Sequence, residues 1–342
     1  MDHLTKYDTG SLISSLLPLN LWHRLTGINL VIATWHIVSD QDVEHVKGLY
    51  SYRNQRQFLE DVEYLLRHYR PVSLGDVLRH LDGQGRLPEQ CVLFTFDDGF
   101  REVYEIIAPV LSQKGIPGVF FLITAAIDNH ELCYPQKKSL VIRALQRTTD
   151  SLVRQECSQR LAEAGLGVPD LIKGVWGIYY RQRHVLDSLG SVLHCDFSSY
   201  VASIRPYLTS NQIRRLMKDG FAFGAHSVDH PRYTELSLEE QLAQTSESLN
   251  FISARFNYDC NTFAFPYSES GISPEFYRRA FSSNLIKASF GIGSFMGGDN
   301  KRHMPRICLE GTDYPAKRIL TYEFGRALWH RFSTRRAGTN KG

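Results

Sequence analysis

Two short motifs, far apart in the chain, carry residue types that can bind a metal ion and move a proton. "TFDDG" at residues 95–99 places Asp97 and Asp98 side by side directly after an apolar run. "HSVDHP" at residues 226–231 contains His226 and His230, four residues apart. On one helical turn, two such histidines would share a face with Cβ atoms about 5–6 Å apart. This spacing predicts two imidazole ligands for one divalent ion, with a carboxylate as the third ligand.

Asp98 is the predicted third ligand, and Asp97 is predicted to stay free beside it as a general base. Three protein ligands leave one coordination position open, which is typical of a catalytic zinc centre. The alternatives are a turn in which Asp98 caps a helix that starts near Arg101, and a pair of unrelated histidines. Both motifs follow strands of an α/β pattern, where barrel enzymes build their sites, and this favours the metal site.

Apolar runs that alternate with amphipathic segments predict the elements that position these motifs. Strands that alternate with helices imply right-handed βαβ units and a parallel sheet or barrel. The predicted buried strands are 28–38, 91–96, 117–123, 221–227, 262–266, "IKASFGIG" and "MPRICLEG". The predicted helices include 56–69, 71–81 and 101–115, together with "TSNQIRRLMKDG" and "SLEEQLAQTSESLNFIS".

The same pattern divides the chain into five segments of an α/β fold, a distorted (β/α) barrel with a mainly helical insertion. The insertion interrupts the alternation of strands and helices, because it is polar, has a helical pattern and contains no apolar run typical of a buried strand. The predicted segments are an N-terminal helical segment (1–27), the first part of the barrel (28–129), the helical insertion (130–206), the second part of the barrel (207–316), and a basic C-terminal helix and tail (317–342).

Composition indicates an ordinary globular protein with an asymmetric charge. Of 342 residues, 43% are apolar and 22% are charged. From Lys317 onward there are seven Lys/Arg and one Glu, whereas the rest carries 32 Lys/Arg and 35 Asp/Glu. Because basic residues predominate only in the tail, a nucleic-acid partner is not expected. The tail interleaves apolar and basic residues, which predicts either a helix packed on the barrel or a peripheral membrane contact.

Cysteine spacing and the N-terminal sequence suggest the compartment. Six scattered cysteines without a C-x-x-C pair argue against a zinc ribbon or a redox dithiol. Residues 9–22 are uncharged but too short to span a bilayer, and no signal-peptide pattern precedes them. The expected location is the cytoplasm, with the inner membrane face as an alternative position.

Together the motifs resemble those of the polysaccharide deacetylases, the NodB-homology group also called carbohydrate esterase family four. "FAFPYS" at 263–268 resembles the third motif of that group, and "WHIV" at 35–38 and "MPRI" at 304–307 fit its order of elements. The resemblance covers about 30–126 and 210–312. It implies a barrel of the deacetylase type and a metal-dependent hydrolase that removes an N-acetyl group from an amino sugar in a polysaccharide, oligosaccharide or lipid-linked glycan.

Carried over residue by residue, the resemblance implies specific roles. Asp97 is the general base, and Asp98, His226 and His230 bind the metal. The backbone N–H of Tyr267 would hold the oxyanion of the tetrahedral intermediate. Zn²⁺ is the expected ion, with Co²⁺, Ni²⁺ or Mn²⁺ as alternatives. The metal would polarise the acetamide carbonyl and activate the attacking water.

Two departures from the family pattern leave roles to be filled. Ala264 stands where many relatives carry an arginine that pairs with the catalytic aspartate. Arg306 is the candidate replacement, or alternatively a surface or strand-edge arginine. The histidine of the last family motif is also missing. His303 and His36 are therefore candidate general acids, or alternatively core or surface histidines.

These departures keep two rival functions open. One is an amidohydrolase of the same fold that acts on a non-sugar C–N bond. The other is a catalytically inactive relative that binds carbohydrate.

Overall fold

A parallel β-barrel, seen in a computed structural model, forms the centre of the molecule. The structure describes residues 18–292 and 300–339, and within the last range it leaves aside the side chains of residues 332 and 334–339. The strands of the described part are β1 Leu30–Trp35, β2 Arg70–Pro71, β3 Cys91–Phe96, β4 Gly118–Leu122, β5 Ala222–Ala225, β6 Thr262–Ala264, β7 Ala288–Ile292 and β8 His303–Cys308.

Seven of these strands close into a ring in the order β1-β8-β7-β6-β5-β4-β3. All pairings are parallel, and β1 closes the ring by pairing with β3 from Leu30↔Cys91 to Trp35↔Phe96. The two-residue strand β2 adds to the start of β3. A parallel ring brings the carboxyl ends of all its strands to one mouth, where barrel proteins place their functional side chains.

Side chains on each strand alternate between the inside of the barrel and the surrounding helices, as the two-residue period of a strand requires. On β3, Leu93 belongs to a buried cluster that draws residues from six of the ring strands and fills the barrel. Its neighbours Phe94 and Phe96 pack instead against helix residues such as Phe58. Alternation therefore decides which residues at the strand ends face the mouth.

The helices surround the barrel, and several begin at the N-caps that the sequence indicates. Ser73 and Ser237 both form capping boxes, so the two helices that follow them begin at Leu74 and Leu238. The α-helices of the described part are α1 Leu19–Thr26, α2 Glu44–Lys47, α3 Gln55–His68, α4 Leu74–Leu81, α5 Ala108–Gln113, α6 Tyr134–Arg147, α7 Ser151–Glu163, α8 Leu171–Trp176, α9 His184–Val192, α10 Phe197–Ile204, α11 Ser210–Lys218, α12 Leu238–Phe256, α13 Pro274–Ser282 and α14 Ala316–Thr339.

Helices α6 to α10 fill the region between β4 and β5 and have a small core of their own. Leu145, Leu161, Val175 and Leu189 are among its buried members. Tyr267, which follows β6, packs against this cluster. The helical region is therefore joined to the mouth of the barrel by apolar contact.

Helix α14 packs against the barrel layer through one of its faces. Ile319, Leu320 and Phe324 are fully buried there, whereas Trp329 is 72% exposed. No helix in the described ranges combines the length and apolarity needed to cross a bilayer. Peripheral membrane contact through α14, the absence of a nucleic-acid partner and the cytoplasmic location stay predictions.

The predicted elements differ from the observed ones mainly at their ends. Of the predicted strand 28–38, only Leu30–Trp35 forms a strand. The predicted helix 71–81 begins at Leu74, directly after its N-cap. Strand β2 was not predicted, because a two-residue strand carries no periodic signal. Residues 1–17 of the predicted N-terminal segment, Gly293 of the predicted strand "IKASFGIG" and residues 340–342 of the tail lie outside the described residues.

Candidate metal centre and active site

Three inward-facing side chains at the barrel mouth come from the ends of neighbouring strands. On β3 and just beyond it, Leu93 and Asp97 lie on the same side. On β8, Arg306 faces inward and reaches past β1 to Asp97 at the end of β3. His36 follows β1 and lies with Nε2 4.0 Å from Asp97 Oδ2. The mouth therefore combines an acid, a guanidinium and an imidazole.

The predicted metal ligands form one compact, buried group. Asp98 Oδ1 lies 3.4 Å from His226 Nε2 and 3.4 Å from His230 Nε2. Ligand atoms of the three residues all lie within 4.8 Å of one another, and all three residues are buried. Two nitrogens and one carboxylate oxygen at this spacing match the donor set of a divalent zinc-type centre.

Unpartnered atoms in this group support its fit to a cation. Asp98 Oδ1 and His226 Nε2 are buried, and neither has a hydrogen-bond partner in the described part of the chain. A buried polar atom left without a partner costs about 1–3 kcal/mol, so both atoms need a further ligand. A shared cation would satisfy them together.

Hydrogen bonds and burial prepare the two imidazoles for metal binding. His226 Nδ1 donates to the carbonyl oxygen of Ala264 at 2.8 Å, so Nε2 is the ring nitrogen that faces Asp98. Burial lowers the pKa of His230, although Asp98 acts in the opposite direction. Burial alone would raise the pKa of Asp98, but the neighbouring His230 and His226 bring it well below its usual range. Neutral imidazoles beside an ionised carboxylate are the forms that bind a metal.

The histidines come together through a loop, so the predicted helical turn is wrong. Strand β5 ends at Ala225, and residues 226–232 contain no helix. Ser227 and His230 both adopt left-handed backbone conformations, with φ of +69° and +64°. The Ser227 hydroxyl accepts a hydrogen bond from the His230 N–H at 3.0 Å. This tight turn brings the ring centroids of His226 and His230 to 5.0 Å.

Four residues at this site adopt the left-handed backbone conformation. Asp98 has φ of +68° and Tyr267 has φ of +59°. The other two are Ser227 and His230 of residues 226–232, which we call the histidine loop. Residues other than glycine rarely adopt this region, and each instance costs on the order of 1–3 kcal/mol. Such conformations gather where surrounding contacts hold functional groups in place.

Asp97 and Arg306 form a fully buried, bidentate ion pair. Arg306 Nη1 donates to Asp97 Oδ1 at 2.7 Å, and Nη2 donates to Oδ2 at 2.7 Å. Arg306 Nε donates to the carbonyl oxygen of Gly291 at 3.1 Å, and Nη1 also lies within reach of the Thr34 and Thr95 hydroxyls. Burial alone would raise the pKa of Asp97, but Arg306 and the nearby histidines outweigh burial and lower it.

His36 is paired on its other side with a carboxylate that sequence reasoning missed. Glu310 Oε1 accepts from the His36 backbone N–H at 3.0 Å and makes a short contact with His36 Nδ1. Burial opposes the charged imidazole, yet Glu310 outweighs it and raises the pKa of His36 to about 9. A signal for Glu310 existed, since it continues the inward alternation of Met304 and Arg306 at the end of β8.

His303 lies away from the other predicted site residues. Alternation on β8 turns it outward, opposite to Arg306, where its ring contacts Phe265 and Tyr277. Its Nδ1 lies 2.8 Å from the Ser289 hydroxyl. The structure therefore does not bring His303 together with the acid, base or metal-ligand candidates.

Tyr267 joins the site to the helical region. Its ring packs edge-on against His230, with 4.7 Å between centroids, and its hydroxyl donates to the Tyr134 hydroxyl at 2.8 Å. The Arg232 guanidinium lies 4.6 Å from the centre of the same ring. Among the described hydrogen bonds, none uses the Tyr267 backbone N–H.

A cavity with a volume of about 560 Å³ opens at the site and is lined by part of it. Asp98, His230, His36 and Arg306 lie on its barrel side. The opposite wall comes from the helical region between β4 and β5, and includes Tyr134, Lys138, Trp176, Ile178 and Tyr179. A volume of this size falls in the range of small-molecule sites, roughly 300–1,000 Å³.

A bridge from the helical region also holds the histidine loop, and sequence reasoning missed it. The Tyr180 hydroxyl donates to Asp229 Oδ2 at 2.5 Å, and Gln244 Nε2 donates to Asp229 Oδ1 at 2.9 Å. Asp229 lies between the two histidine ligands in sequence. No local signal predicts this contact, because its partners are 49 residues apart.

The fold and the site define a parallel (β/α)-barrel protein whose mouth carries a candidate metal centre beside a buried Asp–Arg pair. The sequence model of the family described as "Polysaccharide deacetylase" matches residues 84–280, more than half of the chain. The chain therefore belongs to the polysaccharide deacetylase family, and the resemblance of its motifs is confirmed.

A curated relative matches part of the chain. The protein described as "Poly-beta-1,6-N-acetyl-D-glucosamine N-deacetylase" from Escherichia coli (strain K12) is 29% identical over 99 residues. The match covers 29% of this chain and 14% of that protein. The chain therefore spans about a seventh of the length of that relative.

Solved structures share the fold. The Streptococcus pyogenes deacetylase PplD, in complex with acetate, has a TM-score of 0.55 at 14% identity, covering 86% of this chain and 98% of that one. IcaB from Ammonifex degensii has a TM-score of 0.54 at 15% identity, covering 86% and 97%. A de-N-acetylase from Aggregatibacter actinomycetemcomitans has a TM-score of 0.53 at 16% identity, covering 86% and 100%. At these identities the likeness shows the fold alone, and it confirms the predicted distorted barrel.

Proposed function

We propose that the protein is a metal-dependent hydrolase that removes an N-acetyl group from an amino sugar of a polysaccharide, oligosaccharide or lipid-linked glycan. The single observation that carries the proposal is the placement of a buried, arginine-paired Asp97 next to the Asp98, His226 and His230 group. Family membership and the names of the relatives support the same reaction. Water and the acetamide would give acetate and a free amine.

The proposed metal ligands are Asp98, His226 and His230. Their donor types, their spacing and their unpartnered atoms fit a zinc-type ion, with Co²⁺, Ni²⁺ or Mn²⁺ as alternatives. A divalent cation bound by these residues would act as a Lewis acid on the acetamide and lower the pKa of the attacking water.

Asp97 is the proposed general base. Its Oδ2 lies 4.0 Å from His226 Nε2, so the carboxylate borders the metal group without belonging to it. Arg306 holds both carboxylate oxygens and keeps the group ionised despite complete burial. Asp97 would accept a proton from the water as its oxygen bonds to the acetamide carbon.

His36 is the proposed general acid, with Glu310 as the positioning residue that holds it charged. As the C–N bond breaks, protonated His36 would deliver a proton to the leaving nitrogen. The reaction then ends with a protonated Asp97 and a neutral His36. The 4.0 Å between His36 Nε2 and Asp97 Oδ2 is short enough for one water molecule to return the proton and reset both groups.

Tyr267 is proposed to stabilise the oxyanion through its backbone N–H. The residue lines the cavity beside His230, and its left-handed conformation sets the direction of its peptide group. A pre-positioned donor at a developing oxyanion is worth about 2.7–4 kcal/mol in other hydrolases.

A substrate panel tests the proposal. Purified protein loaded with one equivalent of Zn²⁺ is incubated with N-acetylglucosamine oligomers, acetylated nucleotide sugars and acetylated lipid-linked sugars, and released acetate is measured. We expect release from at least one class. Asp97→Asn should retain the metal and lose release, whereas His226→Ala should lose the metal. Metal-loaded protein that releases no acetate from any of these substrates would rule the proposed function out.

A further inference from the structure

A second group of metal-ligating residue types lies beside the proposed active site. His36, Cys308 and Glu310 each offer one ligand atom, and these atoms lie within 4.8 Å of one another. They face the cavity from the ends of β1 and β8. A nitrogen, a sulfur and a carboxylate oxygen form a donor set that zinc binds at about 2.0–2.3 Å.

Unsatisfied polar atoms in this group point to a missing ligand. Glu310 is 5% exposed, and its Oε2 is buried without a hydrogen-bond partner in the described residues. The Tyr50 hydroxyl is also buried and unpartnered, and its ring lies 5.4 Å from that of His36. Unmet hydrogen-bonding capacity of this kind calls for a water or an ion.

We propose that His36, Cys308 and Glu310 form a second site for a soft divalent cation such as Zn²⁺ or Cd²⁺, and that occupation of this site inhibits the enzyme. The cation would replace the proton between His36 and Glu310 and the thiol proton of Cys308. Both protons would pass to solvent, and no atom would change its oxidation state. Thiolate ligation selects soft cations such as Zn²⁺ and Cd²⁺ over Mg²⁺ or Ca²⁺.

Inhibition follows from the role of His36 and therefore rests on the proposed function. An imidazole that holds a cation cannot carry the proton for the leaving amine. Asp97 Oδ2 lies 4.0 Å from His36 Nε2 and 4.0 Å from His226 Nε2, so the base stands between the two sites. A cation can therefore occupy the proposed catalytic centre while the second site holds none.

Sulfur ligation gives the second site a spectroscopic signature that the catalytic centre lacks. The metal-free full-length chain is titrated with Co²⁺ while the absorption spectrum is recorded. Asp98, His226 and His230 contain no sulfur, so a thiolate-to-cobalt charge-transfer band reports the second site alone. We expect this band to grow in with the second equivalent, and also to form in His226→Ala.

Cysteine variants decide whether the band belongs to this site. Cys308→Ser should abolish it, and Cys195→Ser, at a similarly half-buried cysteine in the helical region, should keep it. Glu310→Gln is the second variant and should weaken binding of the second equivalent at least about tenfold. A missing band in excess Co²⁺, or an unchanged band in a folded Cys308→Ser protein, overturns the proposal.

Activity measurements separate this inference from the proposed function. Zn²⁺ beyond the first equivalent should inhibit acetate release, and in Cys308→Ser the inhibitory concentration should rise at least about tenfold. Equal inhibition of both proteins would contradict the inhibitory role. Failure to release acetate at any metal concentration would contradict the deacetylase proposal, while the cobalt spectrum would still report whether the second site exists.

Discussion

At the scale of single residues, the two adjacent aspartates differ in the side chains that they face. Asp97 is held by the guanidinium of Arg306, whereas Asp98 faces two imidazoles. Breaking a buried ion pair by removing one partner costs about 3–5 kcal/mol, so removing either Asp97 or Arg306 would also destabilise the fold. We infer that this division of partners lets one carboxylate bind a metal while its neighbour stays available to accept a proton.

Arg306→Gln should raise the pKa of Asp97, because burial would no longer be opposed by the guanidinium. The proposed base would act in its ionised form, so activity should be lost as pH falls through this pKa. The acidic limb of kcat/KM should therefore move to higher pH, with a loss of activity on the order of 10²-fold at neutral pH. The measurement is the pH profile of acetate release.

Arg278→Gln is the matched control, since Arg278 lies on α13 with 67% of its side chain exposed. Its profile should coincide with that of the wild type. An acidic limb that stays in place in Arg306→Gln would mean that Arg306 does not set the charge of the base.

Glu310→Gln should act on the opposite limb of the profile. Glu310 raises the pKa of His36 to about 9, and the proposed general acid would act in its protonated form, so activity should be lost as pH rises through this value. Without the carboxylate, burial would lower the pKa, and the alkaline limb should move to lower pH. Glu239→Gln, at a carboxylate 74% exposed on α12, is the control. A shift of equal size in both variants would contradict the pairing.

Alternation explains which residue roles the sequence could predict. Arg306 and His303 were both candidates in one strand, yet residues three apart lie on opposite faces of a strand. If Arg306 faces the inside of the barrel, His303 must face outward and cannot belong to the site. The same alternation places Glu310 on the inward side with Met304 and Arg306. The pairing partner of Arg306 was not predictable by alternation alone, because Asp97 follows another strand, β3, on the other side of β1.

At the scale of elements, the strand ends determine the site, and the loops after them carry the strain. The motif His226–His230 follows β5 as a tight turn, although its spacing also fits a helix. Spacing alone could not distinguish these structures. The turn depends on tertiary contacts, among them the bond from Tyr180 to Asp229.

Tyr180→Phe should weaken metal binding by roughly tenfold, because partners that position metal ligands typically contribute 10–100-fold in affinity. The hydroxyl of Tyr180 holds Asp229, which lies between the two histidines. The measurement is competition for Zn²⁺ with a chromophoric chelator. Tyr179→Phe is the control, since Tyr179 is 57% exposed and adjacent in sequence. Equal affinities in the two variants would show that the bridge does not position the loop.

At the scale of the whole molecule, the helical region turns an open barrel mouth into a walled cavity. Trp176 and Tyr179 remain 46% and 57% exposed although they line this cavity. Exposed aromatic rings in a binding cavity are typical contact surfaces for a ligand. The sequence predicted the helical region but not this wall, since its position depends on contacts such as Tyr267 with Tyr134.

Trp176→Ala should raise KM for acetylated oligosaccharides by roughly tenfold, with a smaller effect on a monosaccharide substrate. A lost aromatic contact is worth about 1 kcal/mol or slightly more, beyond the area it buries. The measurement is KM as a function of oligomer length. Trp329→Ala, at a tryptophan 72% exposed on α14, is the matched control. A KM change that is independent of length would place the longer glycan elsewhere.

The central claim is that one divalent ion is bound by Asp98, His226 and His230 while Asp97 remains unligated beside it. Anomalous diffraction from crystals loaded with one equivalent of Zn²⁺ tests it most directly. We predict one peak within about 2.0–2.2 Å of Asp98, His226 Nε2 and His230 Nε2, with Asp97 still bound to Arg306. A peak that is absent, or one that includes Asp97 among its ligands and displaces Arg306, would contradict the claim.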